Sequence, residues 1–141
     1  MILTVDLTAS EPIYQQIRNQ VVRAVATGEL CAGDTLPSVR SLATDLGVNM
    51  HTVNKAYAVL RDEGYVVMQR RSGAVIADRG AARSAEAQRQ DRQRLAATLH
   101  QLALEHKAQG GSLDEFVSLA TSQATEAFGT AGKASQKEGT R

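Results

Sequence analysis

The sequence predicts a mainly α protein with a small β-hairpin, in which three short helices and the hairpin are followed by two longer helices. Apolar residues recur with helical spacing in three segments before residue 64. Two β-rich runs, YVVMQ and AVIAD, then flank a turn at residues 70–73. Beyond residue 80, two more helical segments meet at Gly110-Gly111. Residues 1–80 are therefore expected to form a winged helix–turn–helix head, and the last two helices a separate helical hairpin.

The first helix is predicted over residues 12–27, after a segment at residues 2–7 that forms a short strand or an extended arm. Pro12 suits a first helical turn, where its missing N–H costs nothing. Gly28 stops the helix, and a loop over residues 30–36 follows. The buried side of the helix is an apolar stripe with a four-residue repeat, formed by Ile13, Ile17, Val21 and Val25.

The second and third helices are joined by a tight turn at Gly47. Ser38 is the expected cap of the second helix and Asn49 that of the third, because both side chains accept hydrogen bonds from free backbone N–H groups. Gly47 takes the left-handed conformation that ends the second helix without a steric cost. The third helix extends to Glu63. The apolar stripes of the two helices are Val39, Leu42, Ala43, Leu46, Val53, Ala56, Tyr57 and Leu60.

The third helix opens with polar side chains, which suits entry into the major groove of DNA. That groove admits one helix, and the first turns of the helix reach the base edges. The turn of the hairpin carries Arg70 and Arg71 with no acidic residue nearby, as phosphate binding requires. For the helix pair taken alone, an ordinary helical corner in a protein core is the alternative. The formal net charge of +1 does not favour a nucleic-acid partner, so the distribution of charge has to decide.

The C-terminal part is predicted to be a helical hairpin within residues 81–128, with a disordered tail at residues 129–141. Ser112 and Glu115 form a capping box at the start of its second helix. Two helices alone cannot bury both apolar faces, so the expected partner is the same hairpin of a second chain. Folding of the hairpin onto its own head is the alternative. The residues expected to make the dimer are Leu95, Leu99, Leu102, Leu113, Phe116, Val117, Ala120 and Phe128.

The composition argues against several other classes of protein. The chain has 141 residues, and no apolar run approaches the roughly 20 residues that span a bilayer. The single cysteine, Cys31, leaves no disulfide framework, and the three histidines lack zinc-ligand spacing. No phosphate loop, carboxylate pair or nucleophile–base set indicates an enzyme. We therefore expect a cytoplasmic protein that has no catalytic residues, no cofactor, no metal site and no membrane partner.

Seven short motifs, in one order and with matching gaps, resemble the GntR family of bacterial transcription regulators, and within it the short YtrA-like branch. The resemblance extends from Pro12 to Ile76. Beyond residue 80 it is limited to length and to the two-helix pattern. The motifs are P-I-Y-Q-Q-I at 12–17, G-E-L at 28–30, G-D-T-L-P-S-V-R-S-L-A at 33–43, L-G-V-N at 46–49, T-V-N-K-A-Y at 52–57, L-R-D-E-G-Y at 60–65 and R-S-G-A-V at 71–75.

The resemblance implies a homodimeric repressor that binds a palindromic operator in double-stranded DNA. In the YtrA-like branch a short helical segment dimerises in place of a large effector domain, and the regulated genes are often an ABC-transporter operon. The existence and the site of a small-molecule effector are left open. The positions that the resemblance assigns to DNA binding are Ser38, Arg40, Asn49, His51, Thr52, Asn54, Lys55, Arg71, Ser72 and Gly73. The positive charge of the hairpin turn adds Arg70 to this set.

A winged helix that serves protein contact or scaffolding, without specific DNA binding, is the alternative function. A protein-binding wing is apolar or mixed, whereas two adjacent arginines at the tip favour phosphate. Salt distinguishes the two functions, because the affinity for DNA falls steeply as the salt concentration rises.

Overall fold

The computed structural model describes residues 2–80 and 84–138, which divide into two compact units. The head comprises residues 2–80, and the helical hairpin comprises residues 84–138. The predicted class, mainly helical with one small β-hairpin, is confirmed. The elements in chain order are α1 (Ile13–Ala26), α2 (Val39–Leu46), α3 (Met50–Asp62), β1 (Val66–Gln69), β2 (Gly73–Ile76), α4 (Ala85–Ala108) and α5 (Leu113–Glu138).

The core of the head is built around the apolar stripes of α1 and α3, which pack against each other. Ile17 and Val21 of α1 and Val53 and Leu60 of α3 are fully buried, as their helical spacing predicts. Leu42 of α2 belongs to the same cluster. Each such side chain contributes roughly 1.5–3 kcal/mol to folding by leaving water. This packing fixes α3 with its polar side chains on the surface.

The helix–turn–helix formed by α2 and α3 has the helix ends that the sequence predicts. Ser38 Oγ accepts a hydrogen bond from Ser41 N at 3.1 Å and caps α2. Gly47 ends α2 at a φ of 67°, in the left-handed region where other residues are strained. Asn49 Oδ1 accepts a hydrogen bond from His51 N at 2.8 Å and caps α3. Each of these three predictions is confirmed.

The wing is the antiparallel pair of β1 and β2, and the loop before α2 adds a short third edge to it. Thr35 pairs with Val75, and Leu36 N donates a hydrogen bond to Ala74 O at 2.8 Å. The sequence predicts only a loop at this point, because a single bridge leaves no alternating pattern to detect. The bridge ties the wing to the segment that leads into α2.

The N-terminal segment is an extended arm and not a strand of the sheet. Side chains of α1 serve as its hydrogen-bond partners. Gln16 accepts from Asp6 N and donates to Asp6 O, and Gln20 does the same for Thr4. Each glutamine amide carries one acceptor and two donors, so it takes the place of a peptide group in a neighbouring strand. The sequence left a short strand and an extended arm as alternatives for residues 2–7, and the structure shows the arm.

The helical hairpin consists of α4 and α5, each capped by a serine. Ser84 Oγ accepts a hydrogen bond from Ala87 N, and Ser112 Oγ accepts one from Glu115 N, both at 3.1 Å. The first residues of the predicted helix, 81–83, lie outside the described residues. Within the described part of the chain, none of the helices combines the length and the apolar character needed to cross a membrane.

The end of α5 corrects the sequence analysis. The sequence predicts a helix that ends at Phe128, followed by a disordered tail, whereas α5 continues to Glu138. Alanine, lysine, glutamine and glutamate, which have high helix propensity, fill most of residues 131–138. Two interior glycines, Gly129 and Gly132, cost about 1 kcal/mol each relative to alanine but do not end the helix. Residues 139–141 of the predicted tail lie outside the described residues.

Candidate nucleic-acid interface

The first two turns of α3 present polar side chains on the side opposite the buried stripe. His51, Asn54 and Lys55 are exposed, and Thr52 is half-buried. Asn49 Oδ1 is occupied by the helix cap, so the amide NH2 of this residue is the group left to donate. An imidazole, two amides, a hydroxyl and an ammonium group thus stand together on one helix. Base edges in the major groove are bound by donors and acceptors of these kinds.

Lys55 is held by an aromatic ring from another helix. Its Nζ atom lies 4.1 Å from the centroid of the Tyr14 ring in α1, within the range of a cation–π interaction. An exposed interaction of this kind contributes about 0.5–1 kcal/mol, and it orders the side chain without removing its charge. The family resemblance assigns Lys55 to DNA binding. The contact of Lys55 with Tyr14 depends on how α1 packs against α3, which no local pattern reveals.

Arg40 lies in the first turn of α2, and its side chain is exposed. Its guanidinium has no hydrogen-bond or ion-pair partner among the residues that the structure describes. The nearby Ser38 hydroxyl accepts the capping hydrogen bond from Ser41 N, which leaves its O–H free to donate. The start of α2 therefore offers a charged fork of donors and a hydroxyl, both directed at solvent.

Arg18 in α1, unlike Arg40, is paired within the head. It forms an ion pair with Glu63 at the end of α3, and its guanidinium lies 5.6 Å from the centroid of the Tyr65 ring. The hydrogen bond to Glu63 raises the pKa of Arg18 above its already high ordinary value. This arginine is engaged inside the head, whereas Arg40 is available to a ligand.

The tip of the wing is formed by Arg70, Arg71 and Ser72, which connect β1 to β2 and are all exposed. Gly73 begins β2 at a φ of 72°, a positive value that glycine adopts without strain. Neither arginine has an ion-pair partner within the described ranges of the chain. The tip thus carries two unpaired guanidinium groups, which are suited to bind phosphate oxygens.

Tyr57 links the two helices of the helix–turn–helix in a way that the sequence analysis missed. Its side chain is buried, as predicted, and its Oη donates a hydrogen bond to Pro37 O at 2.7 Å. Burial raises the pKa of Tyr57 to about 12. The bond fixes the start of α2, and with it Arg40, relative to α3. A tyrosine in an apolar stripe could have indicated such a bond, because a buried phenol hydroxyl requires a hydrogen-bond partner.

The structure places the predicted DNA-binding residues on three segments of the head. These segments are the start of α2, the first two turns of α3 and the tip of the wing, and β1 packs against α3. Nine of the eleven residues are exposed, and Thr52 and Gly73 are half-buried. All eleven are thus at least partly accessible to a ligand.

The helical hairpin leaves most of the residues predicted to dimerise on its surface. Leu113 and Phe128 are the most exposed of them, with exposed fractions of 76% and 78%. Phe116 is the exception, because it is half-buried and its ring centroid lies 5.8 Å from that of His106 in α4. The other exposed members are Leu95, Leu99, Leu102, Val117 and Ala120.

Comparison with known proteins shows which family the head matches. A sequence model of bacterial regulatory proteins of the gntR family matches residues 13–76. The HTH-type transcriptional repressor YtrA of Bacillus subtilis is 41% identical over 76 residues, which cover 54% of this chain and 58% of that protein. The match thus spans less than two thirds of this curated relative.

Two solved structures extend the comparison beyond the head. YtrA from Sulfolobus acidocaldarius, a GntR-family transcription factor, is 43% identical with a TM-score of 0.52, and the match covers 69% of this chain and 99% of that chain. A transcriptional antiterminator from Listeria monocytogenes EGD-e is 26% identical with a TM-score of 0.71, over 90% of this chain and 92% of that chain. Together with the match over the head, these similarities show that the chain belongs to the GntR family of bacterial regulatory proteins.

Proposed function

We propose that this protein is a sequence-specific DNA-binding transcription regulator that recognises its operator with α3. One observation carries the proposal: α3 is anchored by a fully buried stripe while the polar side chains of its first two turns are exposed. A rigid helix with this polarity fits the major groove, whose base edges its first turns can reach. The Bacillus subtilis relative is a transcriptional repressor, and we extend repression, including repression of its own operon, to this protein.

In the proposed complex, α3 supplies the contacts to bases. The amides of Asn49 and Asn54 suit the paired donor and acceptor of adenine, while Thr52 and His51 accept or donate single hydrogen bonds. Arg40 adds two parallel hydrogen bonds to guanine or to a phosphate group. Lys55 contacts a phosphate, and its interaction with Tyr14 keeps the ammonium group ordered before DNA arrives.

The wing and the start of α2 supply contacts to the DNA backbone. Arg70 and Arg71 bind flanking phosphates or the minor groove, where a narrow groove attracts arginine. Ser72 and Ser38 donate hydroxyl hydrogen bonds to phosphate oxygens, and Gly73 lets the wing approach the backbone closely. Such contacts position the protein but carry no direct sequence information.

The proposed regulator is a homodimer joined through α4 and α5. Exposed leucines on both helices remain in contact with water in a single chain, and a four-helix bundle of two hairpins would bury them. A two-fold dimer requires a palindromic operator, with half-sites one DNA turn (~34 Å) or a multiple of it apart. By analogy with the YtrA-like branch, the target is expected to be an ABC-transporter operon.

The test is a mobility-shift titration with the DNA directly upstream of the protein's own gene, at two salt concentrations and with competitor DNA. We expect specific retardation whose affinity falls steeply with salt, because phosphate contacts release condensed counterions. Asn54→Ala should weaken the specific complex, whereas the matched variant Asn19→Ala, on α1, should not. Footprinting of the bound fragment then gives the spacing of the half-sites.

Absence of specific retardation with upstream and with genomic fragments would contradict the proposal. Binding to DNA of every sequence with equal affinity would also contradict it, because α3 would then make no base contacts. Without retardation by any fragment, the winged helix would be assigned to protein contact.

A further inference from the structure

A cavity lies between α4 and α5, next to the turn that connects them. Its volume is about 370 Å³, within the range of small-molecule sites in proteins. One part of its lining is apolar and is formed by Leu104, Leu113 and Phe116. The cavity thus has room for a small molecule and a surface for the hydrocarbon or aromatic part of that molecule.

The polar part of the lining has a positive character. Lys107 contributes an ammonium group, His100 and His106 contribute imidazoles, and Ser112 contributes a hydroxyl. Among the described residues that line the cavity, none carries a carboxylate. An anionic group in the cavity would therefore meet a full positive charge and several hydrogen-bond donors.

His106 has an unmet hydrogen bond at the wall of this cavity. Its Nε2 atom is buried and has no hydrogen-bond partner in the described part of the chain. The nearest acidic atom, Glu115 Oε1, is 4.0 Å away, which is too far for a hydrogen bond. This nitrogen is closed to solvent and packs against Gly111, so an occupant of the cavity would meet other atoms of the His106 ring.

The cavity lies on a different side of α4 from the leucines that we propose for the dimer. Successive helical residues are rotated by about 100°. Leu99 and Leu102 therefore share one side, and they line a neighbouring groove that has His106 and Phe116 in common with the cavity. His100, Leu104 and Lys107 share another side, which faces the cavity. On α5, however, Leu113 and Phe116 line the cavity and also belong to the residues expected to make the dimer, so the cavity borders the proposed dimer contact.

We infer that this cavity binds a small organic carboxylate. The apolar part of this ligand packs against Leu104, Leu113 and Phe116, and the carboxylate of the ligand meets Lys107 and Ser112. The whole cavity lies within the helical hairpin, so the inference does not depend on DNA binding by the head.

The test is a titration of the full chain with sodium benzoate, followed by proton NMR at constant pH and ionic strength. The chain has three histidines, two at the cavity and one, His51, in the head. We expect saturable shifts of the Cε1–H signals of His100 and His106, with His51 as an internal control that stays unchanged. Benzyl alcohol keeps the ring but lacks the charge, and it should bind about tenfold more weakly.

A pair of variants tests the role of the charge. Lys107→Gln should raise the Kd for benzoate about fivefold, as expected for a partly solvated charge contact. The matched variant Lys55→Gln, in the head, should leave that Kd unchanged. Equal affinity for benzoate and benzyl alcohol, or an unchanged Kd in Lys107→Gln, would overturn the anion site. Absence of saturable shifts at both cavity histidines would overturn the cavity as a binding site.

Discussion

Arg18, Arg40 and the two arginines of the wing differ in what they contact. Arg18 is paired with Glu63 and lies against Tyr65, so its charge stabilises contacts between α1 and the end of α3. Arg40 and the two arginines of the wing are exposed and lack such partners in the described part of the chain. A guanidinium without an internal partner can pair with phosphate or guanine at no cost to the fold.

Arg40→Ala tests the role of the α2 arginine. We expect it to weaken operator binding by about 1–3 kcal/mol, because two parallel hydrogen bonds to one base or phosphate are lost. In a mobility shift this corresponds to a Kd raised roughly 5- to 150-fold. Arg40→Lys keeps the charge but not the fork, and its affinity should lie in between. The control is Arg23→Ala, at an exposed site of α1. Normal operator affinity in Arg40→Ala would exclude the proposed contact.

Tyr57→Phe tests the hydrogen bond that joins α2 to α3. Burial raises the pKa of Tyr57 to about 12, above the ordinary value of 10.0. The folded protein therefore holds this proton more tightly than the unfolded chain, and the resulting stability is complete below about pH 10 and lost as the pH rises toward about 12. The loss amounts to at most about 1.4 kcal/mol for each pH unit.

The measurement is urea denaturation of wild type and Tyr57→Phe at about pH 9 and about pH 11. The free energy of unfolding of wild type should fall more between these two values than that of Tyr57→Phe, since the lysines contribute equally to both. At the lower pH, Tyr57→Phe should be less stable by roughly 0.5–1.5 kcal/mol, because Pro37 O loses its donor. Tyr14→Phe serves as the control. Equal decreases in the free energy of unfolding of wild type, Tyr57→Phe and Tyr14→Phe between the two pH values would contradict the assignment.

At the scale of single elements, the sequence predicts most reliably the features that local contacts decide. Ser38, Gly47 and Asn49 end or begin their helices through bonds to residues at most four positions away, so short motifs reveal them. The bond from Tyr57 to Pro37 spans 20 residues, and its formation depends on the packing of α2 against α3. The same holds for the contact of Lys55 with Tyr14. The helix caps were therefore predictable from the sequence, but the contacts that hold the candidate site residues in place were not.

The turn of the helical hairpin depends on a glycine for a reason that the sequence does not reveal. Gly111 is identified from the sequence only as a helix breaker, whereas its Cα packs against the imidazole of His106. A Cβ at this position would lie 2.0 Å from His106 Nε2. The imidazole also contacts the ring of Phe116. Gly111 is therefore a site of close packing within the turn.

Gly111→Ala tests this packing. We expect it to lower the free energy of unfolding by about 1–3 kcal/mol, because the imidazole must leave its contact with Phe116 to make room. The double variant His106→Ala, Gly111→Ala removes the clash, so alanine at residue 111 should cost much less on that background. Thermal unfolding followed by circular dichroism measures both costs. Equal costs on the two backgrounds would show that the glycine is required for its backbone alone.

For the whole molecule, the distribution of charge is more informative than the formal net charge of +1. Several basic residues are paired inside their own unit, such as Arg18 with Glu63 in the head and Arg89 with Glu86 in α4. Among the described residues, Arg40 of α2 and both arginines of the wing tip are unpaired. A nearly neutral chain can therefore carry a local positive surface for DNA while most of its charges compensate one another.

The proposed dimer leads to a prediction for the whole molecule. Leu99 and Leu102 are 43% and 49% exposed on one side of α4, so in a single hairpin aspartate at both positions keeps its carboxylates in contact with water. It would bury two carboxylates between two hairpins, at a cost that the contact cannot offset. We expect this double variant to have half the wild-type mass in sedimentation and to retain its helical circular dichroism. It should also bind a palindromic operator much more weakly, because its two heads are no longer linked.

Gln93→Asp adds a charge on a different side of α4 and should remain dimeric. An unchanged mass of the double variant would show that this face is not where two copies meet.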